Sequence, residues 1–231
     1  RGVLAVETVN PRQFATDVHK TVDDRPYGGG PGMVLKAEPL RLAMLEAARR
    51  VPVARRIYLA ADGAPVTQRR VAGLAGMAEL VLVAGRYEGV DERFVAACTD
   101  ESLSVGDVVL SGGELPALMV IDAVARLLPG TLGDAESAVQ ESFSDGLLDW
   151  PHYTRPEVWA DRPVPAVLLG GNHAAIERWR RKQALGRTLE RRPELLRQRE
   201  LSKEERGLLD EYQAEQDATR HGARDATIAE R

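Results

Sequence analysis

The sequence predicts an α/β fold with a parallel sheet, followed by a smaller, all-helical C-terminal domain. The apolar run Leu80–Ala84 is typical of a strand that is covered on both faces, and it stops at Gly85. Strand and helix patterns alternate as far as Leu128, which is the pattern of a parallel sheet with crossover helices. Beyond residue 150 an extended, aromatic and proline-rich entry leads to helical patterns that begin after Asn172, and residues 176–206 are basic. These observations place the sheet first and the helical domain second.

The elements on either side of the apolar run can be assigned in chain order. Before it, the sequence predicts a strand at 3–6, a glycine-rich loop at 21–35, a helix at 37–50, a strand at 57–60 that ends at Asp62-Gly63, and a weak helix at 68–77. After it come a strand at 108–110 and a helix at 116–128, with Leu118, Ile121, Val124, Ala125 and Leu128 on the face expected to pack on the sheet. In the C-terminal part, Asn172 is the predicted cap of a helix expected to end at about Leu185, Ser202 is a second predicted cap, and the tail from Ala218 is expected to fray.

Two predicted strands end in glycine and are followed by a carboxylate. Gly85 leads to Glu88, and Gly112-Gly113 leads to Glu114. Ligands of open α/β sheets bind beyond the carboxyl ends of strands, and glycine lets the backbone approach a ligand closely. The pair therefore predicts a site that binds a small polar cofactor largely through main chain. The alternative is that each loop is only a tight turn.

Motifs for two common nucleotide sites are absent from the sequence. No G-x-x-x-x-G-K-[ST] occurs, which excludes the phosphate cradle of a P-loop enzyme. No G-x-G-x-x-G opens a helix after a strand, so the usual dinucleotide fingerprint is also missing. The cofactor is therefore expected to belong to another class.

Composition limits the class of protein. The 231 residues are 44% hydrophobic and can bury a real core. The one cysteine, Cys98, excludes an internal disulfide and fits a reducing compartment. No apolar run approaches the length of a membrane span and no signal-peptide pattern occurs, so we expect a cytoplasmic protein with no membrane partner. Because the chain starts at Arg1 with an apolar run already in progress, we expect an N-terminal piece to be missing.

Charge is distributed unevenly along the chain. Residues 176–206 hold 11 Lys and Arg against 6 Asp and Glu, a net charge of +5, within a chain whose net charge is -4. A basic helical segment that contains tryptophan is a candidate for binding a polyanion. The alternative is an ordinary solvated helix face. The polar stretch 133–150 reads as a flexible connector, which predicts domains at 1–132 and 151–231.

Five motifs in series resemble a known family. DDRPYGGGPGM, GRYEGVDER, SVGDVVLSGGELP, LLDWPHYTRPEV and GNHAAIERWRRKQALGRTLERRPELL are similar to the bacterial tRNA (guanine-37-N1)-methyltransferases of the TrmD family, over essentially the whole chain. The resemblance implies the SPOUT fold, whose parallel sheet ends in a deep C-terminal trefoil knot that no topology rule would predict. It further implies that the loops 85–89 and 104–116 hold S-adenosylmethionine, that tRNA is the substrate, and that a homodimer shares its sites between subunits.

The chemistry of such an enzyme needs a base and a stabilised oxyanion. Guanine N1 carries a proton, so its methylation requires a general base, orientation of the donor, and stabilisation of charge at O6. The resemblance places the base at Glu141, in the stretch SAVQESF, where the family usually has aspartate. It places the residue that meets O6 at Arg126. The one-methylene difference at Glu141 requires the reacting geometry to adjust.

The resemblance also implies contacts for the cofactor and for tRNA. Glu88 is expected to face the positive charge on the methionine part of S-adenosylmethionine. At two cofactor positions the chain differs from the family: Ala60 stands where the family often has serine or threonine, and Val108 stands where it often has tyrosine. The implied cofactor residues are Leu59, Ala60, Gly63, Gly85, Tyr87, Glu88, Ser104, Val105, Gly106, Asp107, Val108, Val109, Leu110, Gly112, Gly113 and Pro116. The residues expected to meet tRNA are Asp23, Arg25, Gly32, Arg180, Arg181 and Lys182.

The sequence also bears on metal binding and leaves two competing functions open. The four histidines are scattered and Cys98 is alone, so no transition-metal site is predicted, and Mg²⁺ stays open without an identified ligand set. One competing function is methylation of a ribose 2′-hydroxyl in RNA by the same fold. Another is a catalytically silent RNA-binding module.

Overall fold

The computed structural model describes residues 2–131 and 141–229, with side chains described as far as residue 218. The chain divides into two compact units, Arg1–Ala135 and Glu136–Arg231. Residues 141–150, which the sequence assigned to a connector, belong to the second unit, and residues 132–140 lie outside the described part. No helix in the described residues is long and apolar enough to cross a membrane.

The first unit contains strands and helices in alternation. In chain order these are a 3-10 helix (Pro11–Phe14), β1 (Asp23–Asp24), β2 (Val34–Leu35), α1 (Ala37–Arg50), β3 (Arg55–Pro65), α2 (Gln68–Ala75), β4 (Leu80–Ala84), α3 (Glu92–Cys98), β5 (Glu101–Ser104) and α4 (Glu114–Leu127). The second unit contains β6 (Val158–Trp159), β7 (Arg162–Pro163), α5 (Ala166–Leu169), α6 (His173–Arg191), α7 (Pro193–Arg197) and α8 (Lys203–Ala229).

The sheet that carries the first unit is parallel, as predicted. Its order is β4-β3-β5, and Ile57 of β3 lies opposite both Leu82 and Glu101. One face is covered by α2 and α4 in a buried cluster that includes Ile57, Leu74 and Val120. The other face contributes Val83 to a second cluster with Leu40, Met44 and Phe94. Two covered faces explain why β4 is apolar without alternation.

The strand predicted at 108–110 is wrong, because the third strand of the sheet is β5. Val108, Val109 and Leu110 are 57%, 96% and 41% exposed and adopt no strand. β5 has the less apolar sequence Glu-Ser-Leu-Ser, yet Leu103 is 1% exposed. Pairing with β3 therefore selected the strand, and local apolarity did not.

Two other apolar patterns are placed differently from the expectation. Residues 3–6 form no strand, and Val3, Leu4 and Val6 are exposed. In α4 the face on the sheet carries Val120 and Val124, whereas Leu118 of the predicted stripe is 60% exposed. α4 is apolar on nearly every face, so its sequence does not identify one buried face. The geometry of the sheet decides which side of the helix is buried.

Helix boundaries differ mainly at the C-terminal ends. α1 spans the predicted residues, whereas α6 continues six residues beyond the predicted end at Leu185, to Arg191. The backbone of α8 stays helical to Ala229, although fraying was expected from Ala218. α6 packs against α8 in the second unit, and this packing adds stability to the longer α6 that local propensity does not contain.

The second unit is built on the packing of α6 against α8. Gly186 lies directly against the ring of Tyr212, so the two helices approach closely at that point. Leu185 and Leu208 are buried in the same small core as Leu147, which comes from the segment before the helices. This core therefore fixes part of the segment 141–150 to the helices.

The prediction that the C-terminal domain is all-helical is wrong, because the second unit also contains two short strands. β6 and β7 form a two-stranded antiparallel ribbon in which Trp159 lies opposite Arg162. The turn between them has positive φ at Ala160 (49°) and Asp161 (59°), the conformation of a tight hairpin turn. Prolines at 156, 163 and 165 disfavour a helix interior here, which explains the local change.

Candidate active site

A bulge in β3 brings predicted cofactor residues to the carboxyl edge of the sheet. Leu59 and Ala64 both lie opposite Leu103, so the residues between them leave the regular ladder. A Cβ on Gly63 would lie 2.5 Å from the backbone N and C atoms of Leu103. Because real Cβ atoms do not approach that closely, this position requires glycine. The bulge places Leu59, Ala60 and Gly63 beside the end of β5.

The two glycine loops that follow β4 and β5 contact each other through their backbones. The Gly113 N–H donates to the Gly85 carbonyl oxygen at 2.8 Å, and Arg86 forms an antiparallel bridge with Gly112. A Cβ on Gly113 would lie 2.7 Å from Ala84 Cα and 2.9 Å from Gly85 N. The absence of a side chain at Gly113 therefore allows the loops to meet. The sequence predicted glycine loops that approach a ligand, and their contact with each other is an additional finding.

An ion pair that the sequence analysis missed joins the same loops. Arg86 Nε lies 2.6 Å from Glu114 Oε1, with both side chains about half exposed. Partial burial opposes ionisation of Glu114, but the hydrogen bond from Arg86, the hydrogen bond from the Glu114 backbone N–H and the charge of Arg86 together outweigh burial and lower the pKa of Glu114. Both residues stand inside the two glycine motifs, which was the available signal. The pair holds the loop after β5 to the loop after β4.

Tyr58 is a second residue that the sequence analysis did not single out. Its ring lies beneath the first glycine loop, since a Cβ on Gly85 would lie 3.1 Å from the Tyr58 hydroxyl. Burial and the charge of Asp62 raise the pKa of Tyr58, so the phenol is held in its neutral form. Its position one residue before Leu59 was the only signal in the sequence. Tyr58 forms part of the floor of the loop 85–89.

The glycine-rich loop at 21–35, which carries residues expected to meet tRNA, lies against the first glycine loop, 85–89. Glu88 N–H donates to Met33 O at 3.0 Å, and Leu35 N–H donates to Gly89 O at 2.9 Å. The Glu88 side chain occupies the space that a Cβ on Gly32 would need. Asp23 pairs with Leu35 across the β1–β2 ladder. The structure thus brings Asp23 and Gly32 of one predicted motif and Glu88 of another to one region.

The remaining predicted residues of the first unit differ widely in exposure. Ser104 is buried, and its Oγ accepts a hydrogen bond from Gly106 N–H at 3.2 Å. Tyr87 has positive φ (61°) and is about half exposed. Arg126 is exposed in the last turn of α4, and Arg25 is exposed beside β1. Pro116 is buried in the first turn of α4. The predicted cofactor residues of the loop after β5 that are exposed or partly exposed are Val105, Gly106, Asp107, Val108, Val109, Leu110 and Gly112.

Glu141 lines a cavity of about 200 Å³ in the second unit. Trp150 and Arg180 also line it, with the guanidinium carbon of Arg180 4.9 Å from the centre of a Trp150 ring. Asp145 and Asp149 contribute two further carboxyl groups to the lining. The candidate base is thus partly buried at a concave, polar surface. Residues 137–140 of its motif lie outside the described part of the chain.

The basic helix α6 is largely neutralised by partners within the second unit. Lys182 is buried, with its Nζ 2.5 Å from Glu215, and Arg181 pairs with Asp145 and Glu205. Arg180 pairs with Glu177 at 2.7 Å, at an exposed edge. Of the three cations predicted to meet tRNA, Arg181 and Lys182 are therefore committed to internal ion pairs.

Within the part of the chain that the structure describes, neither a metal cluster nor a second cavity indicates another centre. Among the described residues, no three His, Cys, Asp or Glu side chains converge as metal ligands. A cavity of about 500 Å³ lies beside Arg55, Arg56 and Glu79, where β3 and β4 begin. That is the amino edge of the sheet, opposite the edge at which ligands of parallel sheets bind. We therefore assign the candidate cofactor site to the glycine loops.

Comparison with known proteins identifies the family. The family described as tRNA (Guanine-1)-methyltransferase TrmD matches residues 1–198. The chain belongs to the TrmD family. It is 60% identical over 218 residues to the tRNA (guanine-N(1)-)-methyltransferase of Pseudomonas putida, covering 94% of this chain and 87% of that protein. It is 61% identical to the enzyme of the same name from Alcanivorax borkumensis, covering 93% and 83%. The matched residues of this TrmD-family chain include both glycine loops, Glu141 and α6.

Proposed function

We propose that this chain transfers the methyl group of S-adenosylmethionine to N1 of the guanine at position 37 of tRNA. The observation that carries the proposal is the apposition of Gly85 and Gly113 at the carboxyl edge of the sheet, within a chain of the TrmD family. The names of its relatives specify methylation at guanine N1 of tRNA. Those names do not state the position of the guanine in tRNA or the methyl donor, and both are part of our proposal.

The loops at the sheet edge suit a small, polar and positively charged donor. S-adenosylmethionine supplies an electrophilic methyl group that needs orientation and no further activation. The backbone of the touching glycine loops and of the β3 bulge would hold the donor, and the Glu88 carboxylate would face its positive charge. The Arg86–Glu114 pair keeps the two loops together. Most residues of the loop after β5 are exposed, so a ligand can reach this loop.

The target base requires removal of one proton. Glu141 would take the proton from guanine N1, which makes N1 nucleophilic, and Arg126 would stabilise the negative charge that develops on O6. The wall of the cavity beside Glu141 carries Trp150, an aromatic side chain of the kind that commonly stacks on nucleobases. Asp23, Arg25 and Gly32 would shape the entry of the nucleotide. We also propose that the loops 85–89 and 104–116 form the knot of the SPOUT fold.

Direct product analysis tests the proposed reaction against both alternatives. The protein is incubated with labelled S-adenosylmethionine and unmodified tRNA, and the nucleosides are then separated. 1-Methylguanosine is expected, and a tRNA with adenine in place of guanine 37 should accept no label. A 2′-O-methylated nucleoside would instead identify a ribose methyltransferase. Retained tRNA binding without any labelled product would identify a silent binding module.

Arg180 is the cation of α6 for which we propose contact with a tRNA phosphate. Arg180→Gln is expected to weaken tRNA binding and to lower the slope of log Kd against log salt by about one, because one phosphate contact is removed. The matched change Lys182→Gln should leave that slope unchanged and lower the midpoint of thermal unfolding, because Lys182 pairs with Glu215 inside the unit. An Arg180→Gln variant with the parent Kd at two salt concentrations would contradict the assignment.

We propose that the chain forms a homodimer with shared sites. An exposed apolar surface of the first unit supports this proposal. It consists of Val109, Leu115, Leu118 and Met119, which are 96%, 60%, 60% and 47% exposed. Three of them are spaced on one face of α4, the helix whose opposite face packs on the sheet. Exposed apolar surface that continues from the loop after β5 into α4 is typical of a protein interface.

A charge on this surface is expected to break the dimer. The parent should have twice the molar mass of its 25.2 kDa chain in light scattering. Leu118→Glu should give a monomer that has lost methyl transfer, because a charge would be buried at the interface and the sites would be incomplete. Leu45→Glu is the control, since Leu45 is also a half-exposed helical leucine of the first unit. A fully active Leu118→Glu dimer would exclude this surface as the interface.

A further inference from the structure

The segment that follows Glu141 is a folded loop held on the helices of the second unit. Asp149 N–H donates to Ser142 Oγ at 2.9 Å, and Phe143 N–H donates to Leu147 O at 2.6 Å. Leu147 is 2% exposed in the core with α6 and α8. Leu148 N–H donates to Thr188 Oγ1 at 2.9 Å, and Thr188 is fully buried on α6. The loop 142–149 is therefore ordered by the protein itself.

An ion cluster fastens the turn of this loop to both helices. Arg181 of α6 pairs with Asp145 in the turn and, at 2.5 Å, with Glu205 of α8. Arg199 donates to Asp145 O at 3.0 Å and pairs with Glu205 at 2.7 Å. Single exposed ion pairs contribute little, but Arg181 and Arg199 share a buried carboxylate and form a network.

The shared carboxylate is held in its charged form. Burial opposes ionisation of Glu205, but a hydrogen bond from Ser202 N–H and the guanidinium of Arg181 outweigh burial and lower the pKa of Glu205. Glu205 Oε2 accepts from Ser202 N–H at 2.8 Å, and Ser202 Oγ accepts from Glu205 N–H at 3.1 Å. This reciprocal capping ties Glu205 to the start of α8. The cluster thus has a rigid base on one side and the loop on the other.

We infer that Arg181 is a positioning residue for Glu141, acting through its ion pair with Asp145. Glu141 and Asp145 line the same cavity, and Glu141 stands at the N-terminal end of the clamped loop. A general base contributes fully only when it is held close to the required geometry, and a misplacement of about 1 Å can reduce the rate a hundredfold. The inference rests on the proposed role of Glu141 as base. It assigns Arg181 a function other than the phosphate contact expected from the charge of α6.

Two variants that remove the same ion pair from opposite sides test the inference. Arg181→Gln removes a positive charge and Asp145→Asn removes a negative one, so a phosphate contact would respond oppositely to the two changes. A clamp responds alike to both. We expect each variant to slow single-turnover methyl transfer roughly tenfold to a hundredfold, with tRNA Kd within about twofold of the parent. Arg178→Gln is the control, because the Arg178–Glu211 pair joins the same two helices.

A double-mutant cycle separates positioning from general damage. In a Glu141→Gln background, Arg181→Gln should cause no further loss of rate, because it acts only through Glu141. Losses that multiply in the double variant would overturn the inference. A weaker tRNA Kd and a flatter salt dependence in Arg181→Gln alone, without a rate change in Asp145→Asn, would overturn it in favour of a phosphate contact.

Amide hydrogen exchange without tRNA distinguishes failure of the clamp from failure of the proposed base. The amides of Leu148 and Asp149 should be protected in the parent and in Arg178→Gln, and should exchange at least about tenfold faster in Arg181→Gln. Unchanged protection and an unchanged rate would refute the clamp while leaving Glu141 as the base. A fully active Glu141→Gln variant with fast exchange in Arg181→Gln would refute the proposed base, and with it the positioning role, but not the clamp.

Discussion

Replacing Glu141 with glutamine is expected to slow single-turnover methyl transfer by about a hundredfold or more, the usual contribution of a positioned general base. Glutamine keeps the size and hydrogen bonding of the side chain but lacks the basic oxygen that would accept the N1 proton. The measurement is the rate of 1-methylguanosine formation with enzyme in excess over tRNA, at saturating S-adenosylmethionine. Affinities for both ligands should stay close to those of the parent.

Glu141→Asp is the matched variant, because it retains the carboxylate and restores the residue that the family resemblance leads us to expect. It should keep substantial activity. A Glu141→Gln enzyme that methylates within about threefold of the parent would show that another group removes the proton. Asp145 and Asp149 would then be tested next, since both line the cavity that Glu141 lines.

Gly113→Val is expected to abolish S-adenosylmethionine binding in calorimetry and to leave a folded dimer. The first side-chain atom would lie 2.7 Å from Ala84 Cα and 2.9 Å from Gly85 N. Because these are backbone atoms that cannot rotate away, the two loops must separate, and the Gly113–Gly85 hydrogen bond must be lost. The loops lie outside the buried core clusters, so the sheet should survive the change.

A smaller substitution and a distant one provide the comparison. Gly113→Ala introduces the clashing Cβ alone and should already weaken cofactor binding, whereas Gly73→Ala on α2 meets nothing within 4 Å and should bind normally. Circular dichroism and molar mass would establish that each variant is folded and dimeric. Normal cofactor affinity in a folded Gly113→Val variant would remove the site from these loops.

Local sequence was sufficient for the features that depend on short-range chemistry. Helix α1 has its predicted bounds, and the parallel sheet follows from apolar runs that alternate with helices. Gly113 was singled out from the sequence for close approach of the backbone to a ligand, and the structure shows that a Cβ there would clash with the backbone of Ala84 and Gly85. Motifs in series were enough to indicate the family, which the comparisons confirmed.

Tertiary structure decided whatever depends on a partner distant in sequence. Residues 108–110 look like a strand but are exposed, because β3 pairs with β5 instead. The charge of α6 looks available for tRNA, yet Lys182 and Arg181 pair with Glu215 and Asp145, which lie outside the basic segment. Strand pairing, the buried face of an apolar helix and the neutralisation of a charge are all set by neighbours that the chain supplies only when folded. A local pattern shows which groups need a partner, and only the fold determines which partner they find.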